Sequence, residues 1–246
     1  MPTEPLPARS RRSTSPLLFP ALALPVALSL LGWTASYLFN AFNSDVTMPD
    51  WSVDLALIAA EILPALRSAV LLAFVACLAY TKAGIGPVLL TAGVGIFSNI
   101  LFGLGSTWLS EGFGLFNPLT LLTDAVLCAS AFFIGYGVRR RAGRAESVRE
   151  RKKWGMRKAA VLAAIPAAVL PALYALLDLI EHVGRRGAYT ADEWASGTAH
   201  FTGIFIRRIL IYGVLGAFAA YLAASLCIRL LARKRTGTAP GTPPKF

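Results

Sequence analysis

Residues 55–80 read LALIAAEILPALRSAVLLAFVACLAY, and this stretch decides the class of protein. It is apolar almost throughout, with Glu61 and Arg67 as its charged residues. The hydrocarbon core of a bilayer, about 30 Å thick, needs roughly 20 apolar residues in a helix. A run of this length without strict alternation predicts a transmembrane helix rather than a strand of a membrane barrel.

Further stretches of the same kind lie on both sides of it, at 17–42, 85–106, 115–138, 159–181 and 203–232. The composition agrees, because 56% of the residues are hydrophobic and 15% are charged. Soluble domains have about 45–50% and about 25%. Such high hydrophobicity excludes intrinsic disorder and disfavours a water-soluble enzyme. We therefore predict an all-α, polytopic membrane protein with six transmembrane helices.

The distribution of charge predicts the orientation in the membrane. The formal net charge is +11, and most basic residues lie on one side of the predicted membrane, in 1–16, at Lys82, in 139–158 and from Arg229 onward. Short loops rich in Lys and Arg stay in the cytoplasm. We predict a multi-pass protein of the cell membrane with both termini cytoplasmic. Basic residues at the ends of apolar runs, rather than on one folded face, argue against a nucleic-acid partner.

The basic segment 139–158 divides the predicted protein into parts. We predict a basic cytoplasmic N-terminal segment at 1–16, a four-helix membrane part at 17–138, the basic cytoplasmic loop at 139–158, a two-helix membrane part at 159–232 and a flexible cytoplasmic tail at 233–246. Each basic residue near an anionic membrane surface contributes about 1 kcal/mol of attraction. Membrane lipids are thus a predicted partner of the loop, and docking of a protein or contact with a nucleotide is the alternative.

Charged and amide side chains within the predicted helices are the candidates for function, because a charge at the bilayer centre costs about 2.5–3.5 kcal/mol. Apart from Arg67, near the midplane, they lie in the outer half of the membrane. We predict that they line a small-molecule pocket that opens outward and is closed below; the residues are Glu61, Arg67, Asn99, Asn117, Asp124, Asp178 and Arg207. A through-pore would carry polar groups across the whole depth. The alternative is that these side chains bridge neighbouring helices in pairs.

Small and sulfur-containing residues predict packing rather than chemistry. Ala23 and Ala27 are four positions apart in the first helix, a spacing that allows close approach of a second helix, and they form a candidate partner-docking face. The three cysteines lie inside apolar helices and are predicted to pack as small hydrophobes. His182 and His200 are predicted to be surface loop residues. We predict no metal site and no cofactor.

Glycine and proline motifs follow one another through the third and fourth helices: Gly86-Pro87, Gly93-Val94-Gly95 with Asn99, Phe116-Asn117-Pro118, Gly135-Tyr136-Gly137 and Arg139-Arg140-Arg141. With these motifs, residues 83–141 resemble the substrate-binding S components of energy-coupling-factor (ECF) transporters. The six helices, the cytoplasmic ends and the Ala23-x-x-x-Ala27 spacing are similar to that family as well. The resemblance implies a subunit that captures a vitamin-like solute outside. It would pass the solute inward by docking on a transmembrane coupling subunit driven by cytoplasmic ATPases.

Two other functions stay open. Ser98-Asn99 and Asp124 resemble lipoprotein signal peptidases, membrane aspartyl peptidases that need two carboxylates for acid–base chemistry. Phe102 stands where that family has its first aspartate, so Glu61 would have to supply the second carboxylate. The sequence favours a non-catalytic protein over such an enzyme. The remaining alternative is an accessory or interaction protein whose polar residues join helices.

Overall fold

The computed structural model describes residues 16–44, 49–81, 83–111, 118–142 and 149–236, and these parts of the chain are helical apart from short turns. The elements in chain order are α1 (Leu18–Ser44), α2 (Asp50–Tyr80), α3 (Ile85–Glu111), α4 (Pro118–Ala142), α5 (Arg149–Gly184), a 3-10 turn (Arg186–Ala188), α6 (Ala191–Arg208), a π-helical segment (Ile209–Leu215) and α7 (Gly216–Thr236).

Five helical stretches are long and apolar enough to cross a membrane: Leu18–Phe42, Trp51–Tyr80, Leu121–Ala142, Lys153–Gly184 and Ala191–Arg233. Helix α3 contains a shorter apolar stretch, Ile85–Leu101. The prediction of an all-α fold is therefore confirmed for the described residues, and several of their helices have the length and composition of membrane-spanning helices. Six crossings and cytoplasmic termini stay predictions.

Helix α2 lies at the centre of the fold, and α1, α4, α5 and α7 pack around it. Residues 71–78 of α2 are each at most 2% exposed. A helix that is apolar on all sides is expected to be buried on all sides. The predicted packing of the cysteines is confirmed, since all three are buried as free thiols. Large apolar side chains of the surrounding helices, such as Phe19, Phe133 and Phe218, are exposed, as a lipid-facing surface requires.

The backbones of α2 and α4 touch where Gly135 meets Ala76. A β carbon placed on Gly135 would lie 2.9 Å from the Cα atom of Ala76 and would overlap its carbonyl oxygen. Glycine is required here because the obstacle is backbone, which cannot rotate away as a side chain can. Small residues at helix crossings in membranes allow this close approach, which strengthens van der Waals packing.

The last helical run begins earlier than the predicted segment 203–232, at Ala191. Thr190 caps this start: its side chain accepts a hydrogen bond from the backbone N–H of Glu193 at 3.4 Å, and the Glu193 carboxylate accepts one from the backbone N–H of Thr190 at 2.9 Å. The sequence signal is the capping box, Thr followed three residues later by Glu. The helix therefore extends beyond the predicted apolar stretch, because hydropathy does not indicate the start of α6, which has no buried residue.

Helix α6 packs on the end of α5 around His182. The His182 ring lies 5.0 Å from the rings of both Tyr189 and Phe201, and Nε2 is 3.3 Å from the carbonyl oxygen of Trp194. The residue is 8% exposed. The prediction that His182 is a surface residue was therefore wrong, because α5 continues past it and α6 covers it.

Replacing Gly197 with alanine should loosen this contact between α5 and α6. A β carbon at Gly197 would overlap the imidazole of His182, so we expect the free energy of unfolding to fall by about 1–3 kcal/mol, the usual cost of overpacking. Thermal unfolding in detergent measures the change. Gly203→Ala is the matched control, since a β carbon at Gly203 meets no atom within 4 Å. Equal effects of the two substitutions would contradict the prediction.

Candidate functional site

Three of the predicted site residues meet between α2, α3 and α4. Arg67 Nη2 lies 3.0 Å from Asp124 Oδ2 and donates a second hydrogen bond to the carbonyl oxygen of Gly95 at 3.1 Å. Asn99 Nδ2 donates to the same Asp124 oxygen, also at 3.0 Å. We call Arg67, Asn99 and Asp124 the charged cluster. Each of its members comes from a different helix, so the cluster ties three helices together.

The glycine-rich sequence of α3 allows this approach. A β carbon on Gly95 would lie 2.5 Å from the Leu71 Cδ1 atom, so glycine brings the backbone of α3 close to α2. Ser98 donates to the Gly95 carbonyl oxygen at 2.9 Å, and its hydroxyl is 3.2 Å from that of Ser29 on α1. The sequence reasoning missed the Gly95 carbonyl and Ser29. Neither carries a charge, so hydropathy does not reveal them.

The charged cluster is buried at Arg67 and partly buried at Asn99 and Asp124. The side chains of Arg67 and Asp124 are 5% and 15% exposed. The cavity beside Asp124 has a volume of about 10 Å³, whereas a single water needs roughly 10–15 Å³. Among the described residues, Arg67 Nε has no hydrogen-bond partner. At this point of the fold, the polar side chains contact each other rather than an open pocket.

A second ion pair joins α2 to α6. Glu61 Oε1 lies 2.8 Å from Arg207 Nη2, and the two side chains are 30% and 48% exposed. The neighbouring Arg208 donates to the carbonyl oxygen of Pro171 on α5, at a distance of 3.5 Å. Counted from Tyr80, the end of α2 next to the basic Lys82, Arg67 lies about 20 Å and Glu61 about 28 Å along the helix. The second pair therefore lies nearer the predicted outer surface than the charged cluster does.

The remaining predicted residues are not part of either group. Asp178 is exposed on α5, and no hydrogen bond or ion pair joins it to another residue in the described ranges. Asn117 lies outside the residues that the structure describes. On α1, Ala23 is half-buried and Ala27 is exposed. The helix packs on α2 and α3, and Pro25, between the two alanines, is fully buried.

Each of the two carboxylates considered for catalysis has a guanidinium partner. Asp124 pairs with Arg67, and Glu61 pairs with Arg207. An aspartyl peptidase instead needs two carboxyl groups that share the work of acid and base. Within the described part of the chain, no group of three or more His, Cys, Asp or Glu side chains is placed to hold a metal ion.

The described residues form a multi-helix bundle with apolar helices compatible with a membrane protein, and the charged cluster joins α2, α3 and α4 within it. Comparison with protein-family models, with curated proteins and with solved structures finds no match for this chain. The resemblance of residues 83–141 to the ECF S components therefore stays a prediction.

Proposed function

We propose that this chain is a non-catalytic membrane protein that acts by binding other membrane components, and that the charged cluster holds α2, α3 and α4 in place. One observation carries the proposal. The Asp124 carboxylate accepts hydrogen bonds from both Arg67 and Asn99, and the cavity beside it has a volume of only about 10 Å³.

The energetics of buried charge support this role. An ion in a low-dielectric interior is stable only when its partners are close and well oriented, and removal of one partner costs several kcal/mol. Polar groups that bind a solute must instead face a space that the solute can enter. Arg67 and Asp124 face each other at 3.0 Å.

The basic segment supports the same proposal. Helix α5 begins at Arg149, so residues 149–158 of the predicted loop are helical. A helix that carries this many Lys and Arg residues beside a membrane-spanning stretch presents a cationic surface to membrane components.

A second candidate is the solute-binding transport subunit implied by the ECF resemblance. The half-exposed pair of Glu61 and Arg207 favours it, because both side chains retain exposed surface on the predicted outer side. A polar solute could compete with one partner for the other there. In that case a coupling subunit and cytoplasmic ATPases are the proposed partners.

Native mass spectrometry of the full chain, released from lipid nanodiscs, separates the two candidates. We expect no stoichiometric polar solute on the wild type, and no change in bound species for Glu61→Gln. The control is Glu181→Gln, an exposed carboxylate of α5 that pairs with Arg185. A polar solute that is lost in Glu61→Gln but kept in Glu181→Gln, with unchanged thermal unfolding, would overturn the proposal in favour of transport.

A further inference from the structure

An apolar groove runs between α5 and the continuous helix formed by the π-helical segment and α7. Its volume is about 290 Å³. The α5 wall extends from Val161 to Ala172, and the opposite wall contains Ile209, Gly213 and Ala217, which are four positions apart. This spacing places them on one face, so the groove follows the helix axes.

The dimensions of the groove suit one extended hydrocarbon chain. From Val161 to Ala172 the helix rises about 16 Å, which is about half of a bilayer core of about 30 Å.

The π-helical segment Ile209–Leu215 contributes Ile209 and Gly213 to the wall of the groove. Such segments occur frequently at functional sites. Gly213 lies within it, and a β carbon on Gly213 would meet no atom within 4 Å. Close helix packing therefore does not explain this glycine. Its missing side chain instead leaves space in the groove.

A cation lies one helical turn beyond one end of the groove lining. Arg157 precedes Val161 by one turn of α5, and Tyr221 follows Ala217 by one turn of α7. The Arg157 guanidinium carbon lies 4.9 Å from the centre of the Tyr221 ring. Arg157 Nε is buried and has no hydrogen-bond partner within the described ranges. The neighbouring Lys158 extends over the Trp154 ring at 5.0 Å, which adds a second positive charge at this end.

We propose that the groove holds one acyl chain of an anionic phospholipid from the surrounding bilayer, with the lipid phosphate at Arg157. Guanidinium groups bind phosphate oxygens through charge-assisted hydrogen bonds. Basic pockets between membrane helices bind anionic headgroups. Arg157 Nε has no hydrogen-bond partner within the described ranges, whereas Arg208 at the other end donates to the Pro171 carbonyl oxygen, so we place the headgroup at Arg157. The inference rests on the proposed function, since it names the class of membrane component that is bound.

Lipid titration tests the site. The full chain is delipidated in detergent and titrated with phosphatidylglycerol or phosphatidylcholine of identical acyl chains, with bound lipid counted by native mass spectrometry. We expect one preferred phosphatidylglycerol. Arg157→Gln should weaken it about fivefold, the effect of about 1 kcal/mol per basic residue, while Arg157→Lys keeps the preference. Gly213→Leu, which fills the groove, should remove the preferred site for both lipids.

Matched controls test whether the lipid binds in the groove rather than elsewhere on the protein. Gly203→Leu adds the same side chain on α6, where a β carbon also meets open space, and should leave binding unchanged. Arg185→Gln removes a charge at the opposite end of α5 from Arg157 and should also leave lipid binding unchanged. Thermal unfolding of each delipidated variant shows whether the variant folds. If Gly213→Leu does not fold, the two Arg157 variants alone show whether the lipid binds at this site.

Several results would overturn the inference. One is equal binding of the two lipids, and another is phosphatidylglycerol binding that Arg157→Gln leaves unchanged. A loss with Arg208→Gln but not with Arg157→Gln would overturn the placement of the headgroup. A wild-type dimer that Gly213→Leu dissociates would show a second copy in the groove instead of lipid. None of these results concerns a polar solute at Glu61, so failure here is distinct from failure of the proposed function.

Discussion

Replacing Asp124 with leucine is expected to lower the free energy of unfolding by about 3–5 kcal/mol, the cost of leaving a buried charge without its partner. Arg67 would keep its hydrogen bond to the Gly95 carbonyl oxygen but would lose its counter-ion, and its side chain is only 5% exposed. Reversible unfolding in mixed detergent micelles, followed by circular dichroism, measures the loss.

Two matched variants identify the cause. The double variant Arg67→Leu/Asp124→Leu should recover most of the lost stability, because an apolar pair replaces both charges. Glu61→Gln acts on the half-exposed pair, where solvent screens the charges, and should cost about 0–1 kcal/mol. If Asp124→Leu costs no more than Glu61→Gln, the charged cluster does not hold the helices together.

Replacing Gly135 with leucine is expected to cost about 3 kcal/mol, at the upper end of the usual range for overpacking. The added side chain would meet the backbone of Ala76, and α4 would have to move away from α2. Size-exclusion chromatography and thermal unfolding in the same detergent report the amount of folded protein and its stability.

The control lies two residues further along the same helix. A β carbon on Gly137 meets no atom within 4 Å, so Gly137→Leu should leave folding unchanged while altering helix propensity in the same direction. Comparable losses from the two substitutions would contradict a specific contact between α2 and α4 at Gly135.

Hydropathy was sufficient to predict the helices, because the cost of unpaired backbone groups in lipid leaves few alternatives for long apolar runs. It failed at α6, whose polar sequence is stabilised by the Thr190 cap and by packing on His182 instead of by apolar burial. The spacing of Thr190 and Glu193 indicates the cap from sequence alone. The burial of His182 could not be predicted in this way, because it depends on which helix packs over it.

The sequence indicated that the charged residues within the helices need partners, but it did not indicate which residues those partners are. The cost of charge in lipid indicates that Arg67 and Asp124 need partners, and the structure places them together. We expected Glu61 to share their surroundings, but it points to Arg207 instead. Residues six positions apart on a helix point in directions about 120° apart, so their neighbours depend on which helices pack on each side.

Pro64 lies on α2 between Glu61 and Arg67, and its ring nitrogen cannot donate to the preceding turn. Helix α2 therefore lacks one backbone hydrogen bond at Pro64. On one side of Pro64 the Glu61–Arg207 pair joins α2 to α6, and on the other side the Arg67–Asp124 pair joins it to α4. The two ion pairs thus hold α2 to different neighbours on either side of the missing hydrogen bond.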